Sequence, residues 1–156
     1  MVRPVTDAEL EQYEKYMFDL INNSRAPLPP YKWNAPLGNA ARAHSKLNLM
    51  KNPSDGCKNR HRCNAPGEFD EPDLGARIRS AVGRDALGGE NVHRTPNSNP
   101  FVALDSIHQA FMVEGPGPGD AHIHYEHIMS STFQQVGVGV AYDGIHMWVT
   151  EDFIQP

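Results

Sequence analysis

The 156-residue chain has no stretch of roughly 18 apolar residues, so none of its helices is expected to span a membrane. No apolar core follows the opening MVRPVTDAEL, so no signal peptide is visible; a cleaved signal or a domain cut from a longer protein would leave the same start. Basic residues are scarce, 14 against 19 acidic ones, and form no long stripe. With a net charge of −5, that weighs against nucleic acid as the main partner. There are only two cysteines, which excludes a structural zinc of the four-cysteine type. Neither a G-x-S-x-G elbow nor a G-x-x-x-x-G-K-[ST] phosphate loop is present. Ser130, Ser131 and Thr132 follow a histidine-rich segment but lack the elbow that would make a nucleophile of them. No internal repeat appears.

The length suits one domain with one core, extending over residues 1–156 with its centre at about 7–154. Thr6 and Glu9 form a capping-box pattern, followed by Leu10, Tyr13, Met17, Leu20 and Ile21 at helical spacing. The first helix is expected over 7–24, ended by Pro27, Pro29 and Pro30. Residues 26–34 read as extended, with Tyr31 and Trp33 as apolar anchors. A second helix starts near Ala35-Pro36 and ends near Asn52-Pro53, with Leu37, Ala40, Ala41, His44, Leu47 and Met50 or Lys51 on its inner face. Residues 54–71 form a long polar loop. A third, short helix opens at 71–74 and closes at Gly83. Gly88-Gly89 allows a sharp turn or a close backbone approach. A fourth helix covers 101–112, with Ala103, Leu104, Ile107, Ala110 and Phe111 inward. The clearest strands are 133–142 and 146–154, joined at Asp143-Gly144, a strong hairpin signal. In the first of them, Gly137 and Gly139 allow a helix or strand to approach closely. Helices followed by a terminal hairpin make an α+β layer arrangement.

Two features carry chemistry. Cys57 and Cys63, close together in the polar loop, favour a small disulfide and an oxidising compartment; two free thiols or half of a metal site are the alternatives. Residues 111–140 concentrate Glu114, a Gly/Pro loop and three histidines: His122, His124 and His127. Imidazoles beside carboxylates suit metal or acid–base work. On residue type alone, His44 reads as a satisfied core histidine, His122 and His127 as surface or partly packed, and His93, His108 and His146 carry no site signal. Glu90, after the glycine pair, could face a cleft or satisfy buried backbone amides.

Segments in a fixed order then resemble a known family. They are FDLINNSRA, YKWNAPLGNAARAHS, RIRSAVG with GGENV, AFMVEGPG, and HYEHIMSSTFQQVGVGV with MWVTEDF. The chain is similar to the CAP superfamily of cysteine-rich secretory proteins, antigen 5 and pathogenesis-related class 1 proteins, most of all its bacterial SCP-domain branch. The resemblance implies a three-layer α-β-α sandwich with a small antiparallel sheet and a C-terminal β-hairpin. It also implies a cleft lined by two histidines and two glutamates that holds zinc or another divalent cation. Counting back from Gly137 places the second family histidine on His124. The GEN glutamate falls on Glu90. The helix-four acid falls on Glu114, three residues after Phe111, where the family usually has Trp. His61 is the histidine available in the inserted loop for the first position.

The expectation is therefore a secreted or surface domain with His61 and His124 as metal ligands and Glu90 and Glu114 in the cleft. Its partner would be an extracellular ligand whose class, lipid, peptide or glycan, is open. One alternative is a zinc-assisted peptide or ester hydrolase in which Glu90 or Glu114 takes a proton. The other is an adhesion module of a larger extracellular protein, with the cleft incidental.

Overall fold

The computed structural model describes residues 4–156. Thr6 caps the first helix, α1 (Asp7–Arg25), through a complete capping box with Glu9. A two-residue strand β1 (Lys32–Trp33) leads into α2 (Ala35–Lys51), capped by Asn34 with proline in its first turn. Then come α3 (Leu74–Val82), β2 (Leu87–Pro96), α4 (Pro100–Met112), a 3-10 turn (Asp120–His122), α5 (Ile123–Ile128), β3 (Gln135–Tyr142) and β4 (His146–Gln155). Gly83 ends α3 in the left-handed region at φ 79°.

The sheet order is β1-β3-β4-β2. The β3–β4 and β4–β2 pairs are antiparallel, and the short β1 runs parallel to β3, so the sheet is mixed at one edge. Helices cover both faces, giving the expected α-β-α sandwich. On one face Val136, Val138 and Val140 of β3 meet Met17, Ile21, Leu104, Ile107 and Phe111 from α1 and α4. Each such buried side chain stabilises by roughly 1.5–3 kcal/mol, so this face holds most of the apolar core. On the other face Gly137 and Gly139 point at α2, where a Cβ would collide with the backbone of Gly38 and Arg42. The absence of side chains there lets α2 lie directly on β3.

Three expectations need correction. At Gly88-Gly89 the backbone makes no sharp turn: both glycines lie within the ten-residue strand β2 and allow the close approach instead, a Cβ at Gly88 meeting Ile78 and one at Gly89 the His127 ring. Neither Met50 nor Lys51 faces inward: Met50 is 69% exposed and Lys51 is exposed too, because the inner face of α2 turns through His44, Ser45 and Asn48 instead. Trp33 is not a buried anchor: it stays 40% exposed and packs edge-on against Phe18, whereas Tyr31 is buried.

Candidate metal cleft

Strand β2 is an edge of the sheet, opposite the short β1, and the cleft is built across it. Because side chains alternate along a strand, Glu90 and Val92 face the α2/α3 layer while Asn91 and His93 face α4 and α5. One wall is the loop that carries His61. The other is α5, which carries His124. Both histidines line the same open cleft of about 760 Å³, together with Arg60, Val92 and His93.

The His61 wall is a closed ring. Cys57 and Cys63 are joined, with S–S 2.04 Å and Cα–Cα 5.3 Å. Hydrogen bonds tie the ring to the core at several points. The Cys57 N–H donates to Asn48 Oδ1 at 2.9 Å and the Cys63 N–H to Glu71 Oε1 at 2.8 Å. The Arg60 carbonyl accepts from His44 Nε2 at 2.6 Å and from Asn48 Nδ2 at 3.0 Å. From that support, His61 Nδ1 donates to Glu90 Oε1 at 3.0 Å.

Glu90 sits within a buried charge network. Arg77 donates to both of its oxygens, at 2.7 and 3.1 Å, and also to the His61 carbonyl at 2.8 Å. Asp152 is its partner across the β2–β4 ladder. Burial alone would raise the Glu90 carboxyl, but hydrogen bonds from His61, Asp152 and Arg77 outweigh it and hold it well below the usual carboxylate range. Burial and the negative Glu90 push Asp152 the other way, well above that range. The two neighbouring carboxyls are thus pushed in opposite directions, Glu90 towards its charged form and Asp152 towards its neutral one.

The second pair is made differently. Glu114 follows α4, and its carboxylate reaches the first turn of α5. Oε1 accepts the backbone N–H groups of His124 at 3.0 Å and Tyr125 at 3.2 Å, while Oε2 accepts His124 Nδ1 at 2.6 Å. The His124 ring stacks on Phe111, with centroids 4.9 Å apart. The Gly/Pro loop folds back over this end: Gly117 N–H donates to Glu126 Oε1 at 2.9 Å, and His122 Nδ1 to the Glu114 carbonyl at 2.8 Å. Beneath it, Asn91 donates to the His124 carbonyl and to Glu151 Oε1, both at 3.1 Å, and accepts from His127 Nδ1 at 2.8 Å. Gly89 leaves room for the His127 ring against β2. Burial pulls His127 down to about 4 and pushes Glu151 up to about 8.

The four residues named from the sequence thus meet as two histidine–carboxylate pairs facing one cleft. In each, a carboxylate fixes Nδ1–H and leaves Nε2 as a lone-pair donor with no hydrogen-bond partner among the described residues. That donor set suits a divalent cation, since a metal-ligating imidazole is normally oriented by a carboxylate on its other nitrogen. It suits an open site completed by water rather than a closed one. Among the described residues, the donors that converge within 4.8 Å belong to another group: His44, Cys63 and Glu71. That group is no metal centre in this state. The Cys63 sulfur is in the disulfide, and both ring nitrogens of His44 are engaged, by Glu71 at 2.6 Å and by the Arg60 carbonyl. A second groove, of about 440 Å³, lies over Glu14 and Arg42. Its charges already satisfy each other at 2.7 and 2.8 Å, and Glu14 also caps the Val140 N–H.

Sequence reasoning passed over His93, Arg77, Asp152 and Glu151. His93 lines the cleft beside Phe111, with ring centroids 5.8 Å apart. Its signal would have been alternation along β2, had that strand been recognised. Arg77 lies in the quoted RIRSAVG segment, where either of its two arginines, Arg77 and Arg79, looks solvated on a short amphipathic helix. The two acids are adjacent in β4 and point to opposite faces, so one of them at least reads as solvent-facing in a hairpin with one covered face. They are buried because β4 is central and covered on both faces.

A family model described as CAP, cysteine-rich secretory protein family, matches residues 18–151. No curated protein sequence matches the chain. Among solved structures, an extracellular SCP-domain protein from Bacillus anthracis str. Ames superposes with a TM-score of 0.67 at 23% identity, over 99% of this chain and 45% of that one. An outer surface protein from Borrelia burgdorferi gives 0.68 at 15% identity, over 99% and 98%. NaASP2, solved with Zn2+, gives 0.55 at 10% identity, over 97% and 81%. At such identities the likeness speaks for the fold. The chain spans less than half the length of the Bacillus protein.

Proposed function

We propose, for a chain that belongs to the cysteine-rich secretory protein (CAP) family, that its cleft binds a divalent cation, zinc foremost, through Nε2 of His61 and His124. The single observation that carries this is the two carboxylate-fixed imidazoles lining one cleft from opposite sides of the β2 edge. Two imidazoles with water completing the shell give a loose, exchangeable site. The Zn2+ in the NaASP2 structure points to the same metal.

The domain works outside the cell as a binding module for an extracellular ligand. Its disulfide fits an oxidising compartment. The Bacillus and Borrelia proteins are described as extracellular and outer-surface proteins, and no helix among the described residues is long and apolar enough to cross a membrane. Holding a ligand fits better than turnover, because both carboxylates already accept an imidazole N–H and neither is free to take a proton from water. Calorimetry with zinc on chelator-treated protein tests the reading. Wild type should bind about one ion, and His61→Ala/His124→Ala should lose at least tenfold in affinity. Equal binding by the two proteins would overturn it.

A further inference from the structure

The cleft has a cationic end that the metal reading does not use. The chain as a whole is acidic, at −5, yet the ring wall presents Lys58 and Arg60. On the same loop, Asp55 is the one acidic residue among the described residues lining the cleft. The acids behind it are taken: Glu90 by Arg77 and His61, Glu114 by His124 and two backbone N–H groups. Glu68, outside the cleft, accepts the Lys58 and Ala65 backbone N–H groups and feels the Lys58 charge.

Arg60 is held in place before any ligand arrives. Its Nε donates to the Asp55 carbonyl at 3.2 Å, its guanidinium lies over the Trp148 ring at 5.2 Å, and its own carbonyl is pinned by His44 and Asn48. Its two terminal nitrogens have no hydrogen-bond partner among the described residues. Across the cleft His93 is half-buried against Phe111, and neither of its ring nitrogens has a hydrogen-bond partner among the described residues. Burial and the positive Arg60 pull His93 down, keeping it neutral with an N–H to donate. A rigid, unpaired guanidinium fork is the side chain best suited to an oxyanion, since little entropy is lost when it binds.

We propose that Arg60, Lys58 and His93 form an oxyanion site, taking a phosphate-type group, beside the His61/His124 pair. The site names the ligand class for the cleft and does not require the metal, so the two readings fail separately. The test uses chelator-treated full-length protein and inorganic phosphate, read by the 31P line width and by equilibrium dialysis. Wild type should bind at millimolar concentration, weakening as salt is added. Arg60→Met should lose about tenfold or more, Arg60→Lys should recover part of it, and the exposed Lys58→Met should lose two- to threefold. His61→Ala/His124→Ala, which loses zinc, should keep the phosphate. Arg60→Met binding phosphate as well as wild type would overturn the proposal. So would loss of phosphate in the double histidine variant while Arg60→Met retains it. A pelleting arm with phosphatidylserine/phosphatidylcholine vesicles separates the sources, and both of its outcomes support the site. Arg60-dependent pelleting identifies a lipid headgroup, and its absence beside Arg60-dependent phosphate binding identifies a free oxyanion.

Discussion

The two histidine–carboxylate pairs of the cleft use the same groups and rest on opposite foundations. Glu90 is 2% exposed, paired with Arg77 and held towards its charged form, with Asp152 pushed towards its neutral form at its back, while its partner His61 is 51% exposed on a covalently closed loop. Glu114 and His124 are both partly exposed, at 19% and 27%, and lean on backbone N–H groups, a Phe111 stack and an underlayer of uncharged polar groups. One half buries the acid and exposes the imidazole; the other does neither. Buried charge is costly unless paired, so the first half is rigid and sensitive to losing its partner. The second half is tied by short local bonds that water can partly replace.

The largest test of that contrast is removal of the counter-charge. Arg77→Met should cost about 3–5 kcal/mol in urea unfolding, because Glu90 and its acidic neighbours Glu71 and Asp152 are left buried without it. Glu114→Gln should cost only about 1–3 kcal/mol, the scale of hydrogen bonds to a partly exposed charge. Equal losses would erase the distinction.

Next comes the closed ring. Cys57→Ser/Cys63→Ser should lower stability by about 2 kcal/mol, the loop-entropy value for so short a ring. It should also weaken zinc at His61 while leaving the Glu114–His124 bond intact, seen as an unchanged His124 imidazole resonance in NMR.

A smaller effect sharpens the claim that the second half stands on neutral groups. Glu151, raised to about 8 against roughly 4.3 unfolded, contributes stability below its unfolded value and loses it as pH rises towards 8. His127, lowered to about 4 against roughly 6.5 unfolded, works in the other direction. Its contribution is present above 6.5 and is lost as pH falls towards 4. Glu90, held low, adds stability above the ordinary carboxylate range and loses it only in acid. Glu151→Gln should therefore flatten the decline of stability between about pH 5 and 8. Its advantage over wild type should grow with pH to about 1–3 kcal/mol, measured as urea midpoints across that range.

Legibility in the sequence cuts across the two halves, and the reason is physical. The capping box at Thr6, the Asp143-Gly144 hairpin and the Gly137/Gly139 approach are local codes, and each appears where its residues stand. His124 could be found by register from Gly137, and Glu90 by its GEN motif. Strand β2 was not legible, because Gly88-Gly89 and the polar run through His93 and Arg94 mask an alternation that only the fold resolves into two covered faces. At six residues, α5 is too short to give a helical period. Glu151 and Asp152 are adjacent in β4 and so point to opposite faces of the sheet; burial of both follows from helices packed on each side of it, which no local pattern announces.

The sharpest test of the two-imidazole site is a long-range 1H–15N NMR spectrum of the histidine rings, recorded on metal-free protein and again with one equivalent of zinc. Before zinc, His61 and His124 should both carry the proton on Nδ1, facing Glu90 and Glu114. With zinc, the Nε2 signals of those two residues should shift while Nδ1 stays protonated and His44, His122 and His127 stay still. A zinc-induced shift at His122 or His127 instead, or none at His61 and His124, would rule the site out.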